Sequence, residues 1–229
     1  MTDEDRKVHA LMPFVGDSIE SHRKERKSRA RAARDLYITP QPLANAICQR
    51  LVELIPRPRR IMDPGCGPGA FMRAASLAWP GSEIFGIDIE QQHDDVGSVM
   101  PGCRYTGGYL TTPAETYGGP FDLIVGNPPY SIAVEFINQS LSLLRPRAFL
   151  INGGYLAFLL RLAFLGSQKR ANTLWASAGF RWLIPIAERP SFTADGGSER
   201  MEYGVFVWHR DYQGRPEILP HLHWREGGR

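Results

Sequence analysis

Apolar residues along the chain recur at two spacings, one typical of helices and one typical of buried strands. Helical spacing, in which apolar residues return every three or four positions, predicts three helices. The first follows "TPQP" on Leu43, Ala44, Ile47, Leu51 and Leu54 and ends at Pro56, the second covers about residues 70–78, and the third lies on Val134, Ile137, Leu141 and Leu144.

Short apolar runs bounded by turn residues predict the strands. They lie at residues 60–62, in "SEIFGIDIE", in "CRYT", in "FDLIVGN", in either "AFLI" or "YLAFLLRL", and in "YGVFVWHR". Strands that alternate with helices pack as a parallel sheet with helices on its faces. The pattern therefore predicts an α/β fold with a doubly wound, mostly parallel sheet.

Charge and apolar content divide the chain into three predicted parts. The first 35 residues are highly charged, and residues 20–34 carry seven Lys or Arg against two Glu, whereas the whole chain has a net charge of only +3. They are interpreted as a basic N-terminal arm. Residues 36–210 are predicted to be one folded domain, and residues 211–229 a C-terminal tail.

Composition narrows the classes of protein that the chain can belong to. The three cysteines show no paired spacing, which argues against a disulfide framework or a zinc site and favours the reducing cytoplasm. The opening "MTDEDRKVHA" lacks the apolar core of a secretory signal. The most apolar segment, "YLAFLLRLAFLG", contains Arg161 and is too short to cross a bilayer, so we expect it in the core and expect no membrane partner. His209, His221 and His223 are interpreted as surface histidines, with no metal site.

A glycine-rich turn, "DPGCGPG", lies between the first predicted strand and the next helix. Glycine lets the backbone approach a ligand closely, and Gly65 and Gly67 follow Asp63, where a phosphate loop would gain little from a carboxylate. Asp88 ends the next strand, where an acid accepts hydrogen bonds from a ribose. These features favour a nucleoside-like ligand with a cationic group, and S-adenosylmethionine matches. A structural turn without a ligand, with Asp88 as a helix cap, is the alternative.

The fourth strand ends in "NPPY", a stiff loop rich in hydrogen-bond acceptors. Proline has a fixed φ and no N–H, so Pro128 and Pro129 lock the loop while its carbonyl groups can still accept. The Asn127 amide oxygen and the Pro128 carbonyl could accept both hydrogens of a nucleobase amine, and Tyr130 could stack on a base taken out of its helix. The alternative is a purely structural role, in which Asn127 caps a turn and the prolines only end a strand.

These motifs together resemble a known family. From about Leu36 to Trp208 the chain is similar to S-adenosylmethionine-dependent DNA adenine N6-methyltransferases of the small phage and prophage type. The resemblance is carried by "YITPQPLANAI", "DPGCGPGAF", "GIDIE", "FDLIVGNPPY", "AFLLRLAFLGSQKRA" and "ERPSFTADGGSERMEYGVFVW". It implies the class I methyltransferase fold, which is Rossmann-like with helices on both faces of the sheet, and makes residues 36–210 the catalytic domain.

The resemblance also implies roles for individual residues. The cofactor, S-adenosylmethionine, is expected at Tyr37, Thr39, Pro40, Asp63, Gly65, Gly67 and Asp88. Catalysis is expected at Asn127, Pro128, Pro129 and Tyr130, and the flipped base at Tyr130 and Phe192, although Phe192 could equally be a packing residue. Gly108 departs from the pattern, because such enzymes often carry an acid there, so no acid is assigned to the adenine amine of the cofactor.

DNA is the expected partner, because the basic arm would suit phosphate groups, although a solvated tail would have the same composition. The catalytic core leaves little chain for a recognition domain, so a short or absent recognition sequence is expected. Two other functions use the same features. One is methylation of RNA or of a protein glutamine by the same loop, and the other is a non-catalytic nucleic-acid-binding module that retains only the fold.

Overall fold

The protein is described by a computed structural model that covers residues 38–89, 102–146, 153–175, 179–192 and 201–225. The predicted basic arm, Tyr37 and the "AFLI" segment lie outside the described residues. Within the described ranges no helix is long and apolar enough to cross a membrane.

One sheet of eight strands organises the described part of the chain. In chain order the strands are β1 (Arg60–Pro64), β2 (Glu83–Asp88), β3 (Gly102–Thr106), β4 (Leu123–Gly126), β5 (Tyr155–Arg161), β6 (Phe180–Pro185), β7 (Tyr203–His209) and β8 (Glu217–Ile218). Their order across the sheet is β3-β2-β1-β4-β5-β7-β6-β8. Strands β1 to β5 pair in parallel, and β7 lies antiparallel to both β5 and β6.

Helices cover both faces of this sheet. They are α1 (Gln41–Leu54), α2 (Ala70–Ala78), α3 (Ala133–Leu143) and the short α4 (Gln168–Asn172). Successive residues of a strand point to opposite faces, so Leu123 and Val125 of β4 belong to the core under α1 and α2, whereas Ile124 belongs to the core under α3. Burial on both faces explains why β4 is a continuous apolar run. The predicted fold class is confirmed.

Most of the predicted elements are confirmed. Helix α2 has the predicted bounds, α1 ends at Leu54, two residues before the predicted end, and β4 is followed by α3 as expected. Of the two candidates for the fifth strand, "YLAFLLRL" supplies β5, because Tyr155 pairs with Leu123. No element was predicted for residues 180–185, which form β6. Residues 217–218 of the predicted C-terminal tail join the sheet as β8, in parallel with β6.

The interpretation of the three histidines as surface residues is wrong for His209 and confirmed for the other two, which are exposed. His209 is only 6% exposed and stacks on Tyr155 with the ring centres 4.3 Å apart, so it is a core residue. His223 has an acidic partner, because its Nδ1 lies 2.7 Å from Glu188 Oε1. Only His221 is an exposed residue without such a contact in the described structure. No cluster of His, Cys, Asp or Glu among the described residues could hold a metal ion.

The topology places two loops side by side. The chain adds β2 and β3 on one side of β1 and then crosses to β4 on the other side, so the sheet has its switch point between β1 and β4. Open α/β sheets bind ligands outside the carboxyl ends of the strands at this point. The glycine-rich turn follows β1 and "NPPY" follows β4, and both therefore border the expected ligand crevice.

Candidate active site

Backbone hydrogen bonds attach the glycine-rich turn after β1 to strand β2. Gly65 and Gly67 have φ values of 73° and 47°, in the left-handed region that favours glycine. The amides of Gly65 and Cys66 donate to the Ile87 carbonyl at 2.7 and 3.1 Å. A Cβ atom at Gly67 would meet no atom of the described structure within 4 Å. A ligand can therefore approach this backbone closely, as a cofactor site requires.

Asp88, at the end of β2, is fixed against this turn. Its Oδ2 accepts a hydrogen bond from the Gly67 amide at 2.8 Å, while the side chain stays half-buried. Ile89, directly after it, is 77% exposed. The carboxylate is thus held at the rim of the crevice, where the predicted ribose contact would need it.

Asp63 is a buried carboxyl group beneath the crevice. It is 2% exposed, and its Oδ2 has no hydrogen-bond partner within the described residues. Burial, and then the charge of Asp88, raise the pKa of Asp63 well above its usual value, and a hydrogen bond with the Met72 backbone lowers it only in part. A buried carboxyl with an open oxygen suits a cationic ligand group, which would favour its ionised form.

Close approaches of the backbone join β1 to β4. A Cβ atom on Gly126 would lie 2.7 Å from Asp63 Oδ1, so a side chain at the end of β4 would require the Asp63 carboxyl group to move. A Cβ atom on Gly65 would lie 3.8 Å from Pro129 Cδ, which places the glycine turn against "NPPY". Pro128 is buried and Asn127 is half-buried. The predicted cofactor and catalytic loops therefore form one site.

Thr39 connects the segment before α1 to the catalytic loop. Asn127 Nδ2 donates to Thr39 Oγ1 at 3.2 Å, and Thr39 is 7% exposed. The next residue, Pro40, begins α1 by accepting the Ala44 amide at 3.1 Å. Gln41 then donates to the Ala70 carbonyl of α2 at 3.0 Å. The predicted site residues Thr39 and Pro40 are thus anchored beside the glycine turn and the catalytic loop.

The Tyr130 side chain packs against another aromatic ring and a guanidinium group. Its ring lies 5.9 Å from that of Tyr203 at the start of β7, and the Arg161 guanidinium lies 4.9 Å from the Tyr130 ring centre. Phe192 is 4% exposed and packs on Tyr203 with the ring centres 5.0 Å apart. Phe192 therefore reaches Tyr130 through Tyr203, and its contact with a flipped base stays a prediction.

Arg161 and Tyr203 are two site residues to which the sequence analysis gave no role. Arg161 ends β5 and pairs in the sheet with Tyr203, and its Nε lies 3.4 Å from the Tyr203 hydroxyl. A signal for Arg161 was present in the sequence, because a lone charge interrupts the most apolar segment of the chain. Tyr203 carried no local signal, since it reads as an ordinary strand residue.

Gly108, the departure from the family pattern, lies in a loop built around glycine. Its carbonyl accepts hydrogen bonds from the hydroxyls of Thr111 and Thr112 at 3.0 and 2.9 Å. A Cβ atom there would lie 2.7 Å from Thr111 Oγ1, so a side chain would require this threonine to move. The loop is therefore a threonine-capped turn at the position where the resemblance would place an acid.

Several known proteins that are similar to the chain are methyltransferases. No protein-family model matches the chain. It is 23% identical over 171 residues to the type II methyltransferase M.CvrRI of Paramecium bursaria Chlorella virus XZ-6E, which covers 68% of this chain and 43% of that protein. It is 28% identical over 102 residues to the release factor glutamine methyltransferase of Chlorobaculum tepidum, covering 40% and 35%. The chain thus spans less than half the length of these relatives.

A solved structure matches over most of the chain. It is a class I S-adenosylmethionine-dependent methyltransferase from Listeria monocytogenes, with a TM-score of 0.61 and 16% identity, covering 82% of this chain and 66% of the other. The chain therefore has the fold of the class I S-adenosylmethionine-dependent methyltransferases.

Proposed function

We propose that the protein transfers a methyl group from S-adenosylmethionine to the exocyclic amine of adenine in DNA, with a short recognition sequence or none. The observation that carries the proposal is the position of "NPPY". The Asn127 amide and the Pro128 backbone are held by Thr39 and by the packing of Pro129 against the glycine turn. This places two rigid acceptors beside the crevice expected to hold the cofactor.

The cofactor is S-adenosylmethionine, which supplies an electrophilic methyl group bound to a sulfonium. The residues of the site fit it. Gly65 and Gly67 expose backbone at the carboxyl end of β1, Asp88 presents a carboxylate suited to ribose hydroxyls, and Asp63 provides a buried acid below them. Thr39 and Pro40 border the same crevice, as the resemblance implies.

The acceptors of the loop would activate the substrate amine. Its lone pair is delocalised into the adenine ring, which makes it a poor nucleophile. The Asn127 Oδ1 and Pro128 carbonyl oxygens would accept the two amine hydrogens and localise the lone pair toward the methyl group. Asparagine is no strong base, so the excess proton would be lost to water after transfer. Catalysis would then rest on orientation and electrostatics.

DNA is favoured as the substrate by the similarity to a type II methyltransferase and by the motifs that the chain shares with the DNA adenine enzymes. Tyr130 would stack on the extruded adenine, because its ring lies directly after the two acceptors and is supported by Tyr203 and Arg161. Pro129 would keep this stacking surface in register with Asn127.

The second candidate is methylation of RNA or of a protein glutamine. It is supported by the similarity to a release factor glutamine methyltransferase, because a glutamine amide also presents an NH2 group to two acceptors. A methyl-transfer assay with labelled cofactor on DNA, RNA and protein in parallel separates the candidates. The proposal expects label in DNA, as N6-methyladenine after digestion to nucleosides. Label confined to RNA or protein would overturn it.

Asn127→Ala tests the catalytic loop, with Asn138→Ala on the exposed face of α3 as the matched control. Asn127→Ala is expected to lower turnover at least about a hundredfold, the scale of one lost oxyanion-type contact. The melting temperature and the cofactor affinity should stay close to those of the wild type, and the control should keep full activity. Turnover like that of the wild type in Asn127→Ala would contradict the mechanism.

A further inference from the structure

Exposed apolar side chains are concentrated at the edge of the sheet that carries the site. Nine large apolar residues are exposed within the described structure. Three of them lie elsewhere, on α1, α2 and β8, and are Val52, Leu77 and Ile218. The other six lie in loops at the carboxyl edge of the parallel strands and are Ile38, Ile89, Leu110, Ile132, Leu165 and Met201. Exposed apolar groups that share one region mark an interaction surface.

Three of these residues form what we term the apolar ridge, because each is within four residues of Tyr130 or of one of its contacts, Arg161 and Tyr203. They are Ile132, Leu165 and Met201. Ile132 follows β4, Leu165 follows β5 and Met201 precedes β7, and these three strands are neighbours in the sheet. The three side chains are 38%, 42% and 44% exposed. The ridge therefore lies on the side of the catalytic loop away from the glycine turn.

The ridge is presented on turns that are held in place. Ile132 ends a 3-10 turn that starts at Tyr130, and its amide donates to the Pro129 carbonyl at 3.2 Å. Leu165 ends another 3-10 turn, which Arg170 closes by donating to the Phe164 carbonyl at 2.8 Å and to the Gly166 carbonyl. These turns hold Ile132 and Leu165 with more than a third of each side chain exposed.

The charge beside the ridge is positive. Around Leu165, residues 161–170 contain three Lys or Arg and no acid. Lys169 is exposed, four residues after Leu165. Near Met201 the acid Glu202 is paired with Arg189 at 3.5 Å. Apolar side chains next to an exposed lysine complement a nucleic-acid strand whose bases and phosphates are both accessible.

We propose that the apolar ridge contacts the bases that flank the target adenine, while Lys169 contacts the adjoining phosphate. The proposal rests on the function proposed above. Aliphatic side chains inserted at a base step support unstacked DNA without reading hydrogen-bond edges. The ridge would therefore help to keep the adenine extruded, and it would do so with little dependence on sequence.

Fluorescence anisotropy with labelled DNA tests the ridge in the full chain. Leu165→Ser/Met201→Ser is compared with Leu77→Ser/Ile218→Ser, which removes two equally apolar exposed residues far from the site. Two duplexes are used, one with the target adenine paired and one with it mismatched. The ridge variant is expected to bind the paired duplex about tenfold more weakly, and the control variant within about twofold of the wild type.

Two further readouts separate an apolar contact from a charge contact. The ridge variant should lose less affinity for the mismatched duplex, because a mismatched base costs less to extrude. Its salt dependence should equal that of the wild type, whereas Lys169→Gln should lower the logarithmic salt slope by about 0.9. Calorimetry should show unchanged cofactor affinity in every variant.

The outcomes distinguish the ridge from the proposed function. If the wild type methylates DNA but the ridge variant binds both duplexes as tightly as the control variant does, the ridge makes no DNA contact and the proposed function stands. Equal losses on the paired and mismatched duplexes would overturn the role in extrusion. If the wild type neither binds nor methylates DNA, the proposed function fails and the ridge proposal fails with it.

Discussion

Thr39 is expected to orient the catalytic amide, and Thr39→Val removes this contact with little change in shape. The Thr39 hydroxyl accepts from Asn127 Nδ2 at 3.2 Å and is almost fully buried. With its nitrogen end donating to Thr39, the amide would keep its oxygen end for the substrate amine. In Thr39→Val this acceptor is absent, so the Asn127 amide could rotate until its NH2 group faces the substrate amine. Two hydrogen-bond donors would then face each other.

The size of the effect follows from the contact. A neutral, partly buried hydrogen bond contributes about 0.5–1.5 kcal/mol, so kcat should fall by about 2- to 13-fold. Cofactor affinity should change by less than about threefold if the main role of the hydroxyl is to hold Asn127. Thr39→Ser keeps the hydroxyl and should retain most of the wild-type rate.

A double-mutant cycle under single-turnover conditions gives the decisive measurement. In the Asn127→Ala background, Thr39→Val should have almost no further effect, because the contact that it removes no longer exists. Calorimetry on each protein measures the cofactor affinity separately. The reasoning is refuted if Thr39→Val slows Asn127→Ala as much as it slows the wild type, or if weaker cofactor binding accounts for the whole loss.

Three carboxylates give further predictions. Asp88→Ala should weaken binding of S-adenosylmethionine by roughly 1.5–3 kcal/mol in calorimetry, because ribose would lose a charged acceptor, and unchanged affinity would place the ribose elsewhere. Burial raises the pKa of Asp63, so the folded protein loses stability as pH rises above about 4, where the carboxyl group of the unfolded chain ionises. Asp63→Asn should therefore have a higher melting temperature than the wild type at neutral pH, and this difference should close toward pH 4. The variant should also bind the cofactor more weakly. Burial acts to raise the pKa of Asp122, but Arg145 and two backbone amides lower it by more. Asp122→Asn should therefore have a lower melting temperature than the wild type at pH 7. A difference in melting temperature that persisted well below pH 4 would contradict this ion pair.

Local patterns in the sequence were sufficient for the first four strands of the sheet and for both predicted loops of the site. Helical and strand periodicity, glycine and proline act over a few residues, so α2, β4, the glycine turn and "NPPY" could be located without tertiary information. Asp63 and Asp88 were assigned because a βαβ unit brings the ends of its strands to one edge of the sheet.

Strand pairing decided what those patterns left open. Two apolar runs competed for the fifth strand, and only the pairing of Tyr155 with Leu123 identifies β5. No element was predicted where β6 forms. This strand pairs with β7 from later in the chain and includes Pro185, a residue that weakens a strand prediction. His209 looked like a surface residue until stacking on Tyr155 placed it in the core.

The contacts that shape the catalytic loop depend on tertiary structure for the same reason. Thr39 and Asn127 are 88 residues apart, and Tyr203 reaches Tyr130 only because β7 enters the sheet beside β5. By itself the sequence determined which acceptors, carboxylates and glycines are predicted for the site, because those groups lie in short motifs. Only the packing of distant elements decided which side chains orient them, because hydrogen bonds and ring contacts act over a few ångströms, whatever the separation along the chain.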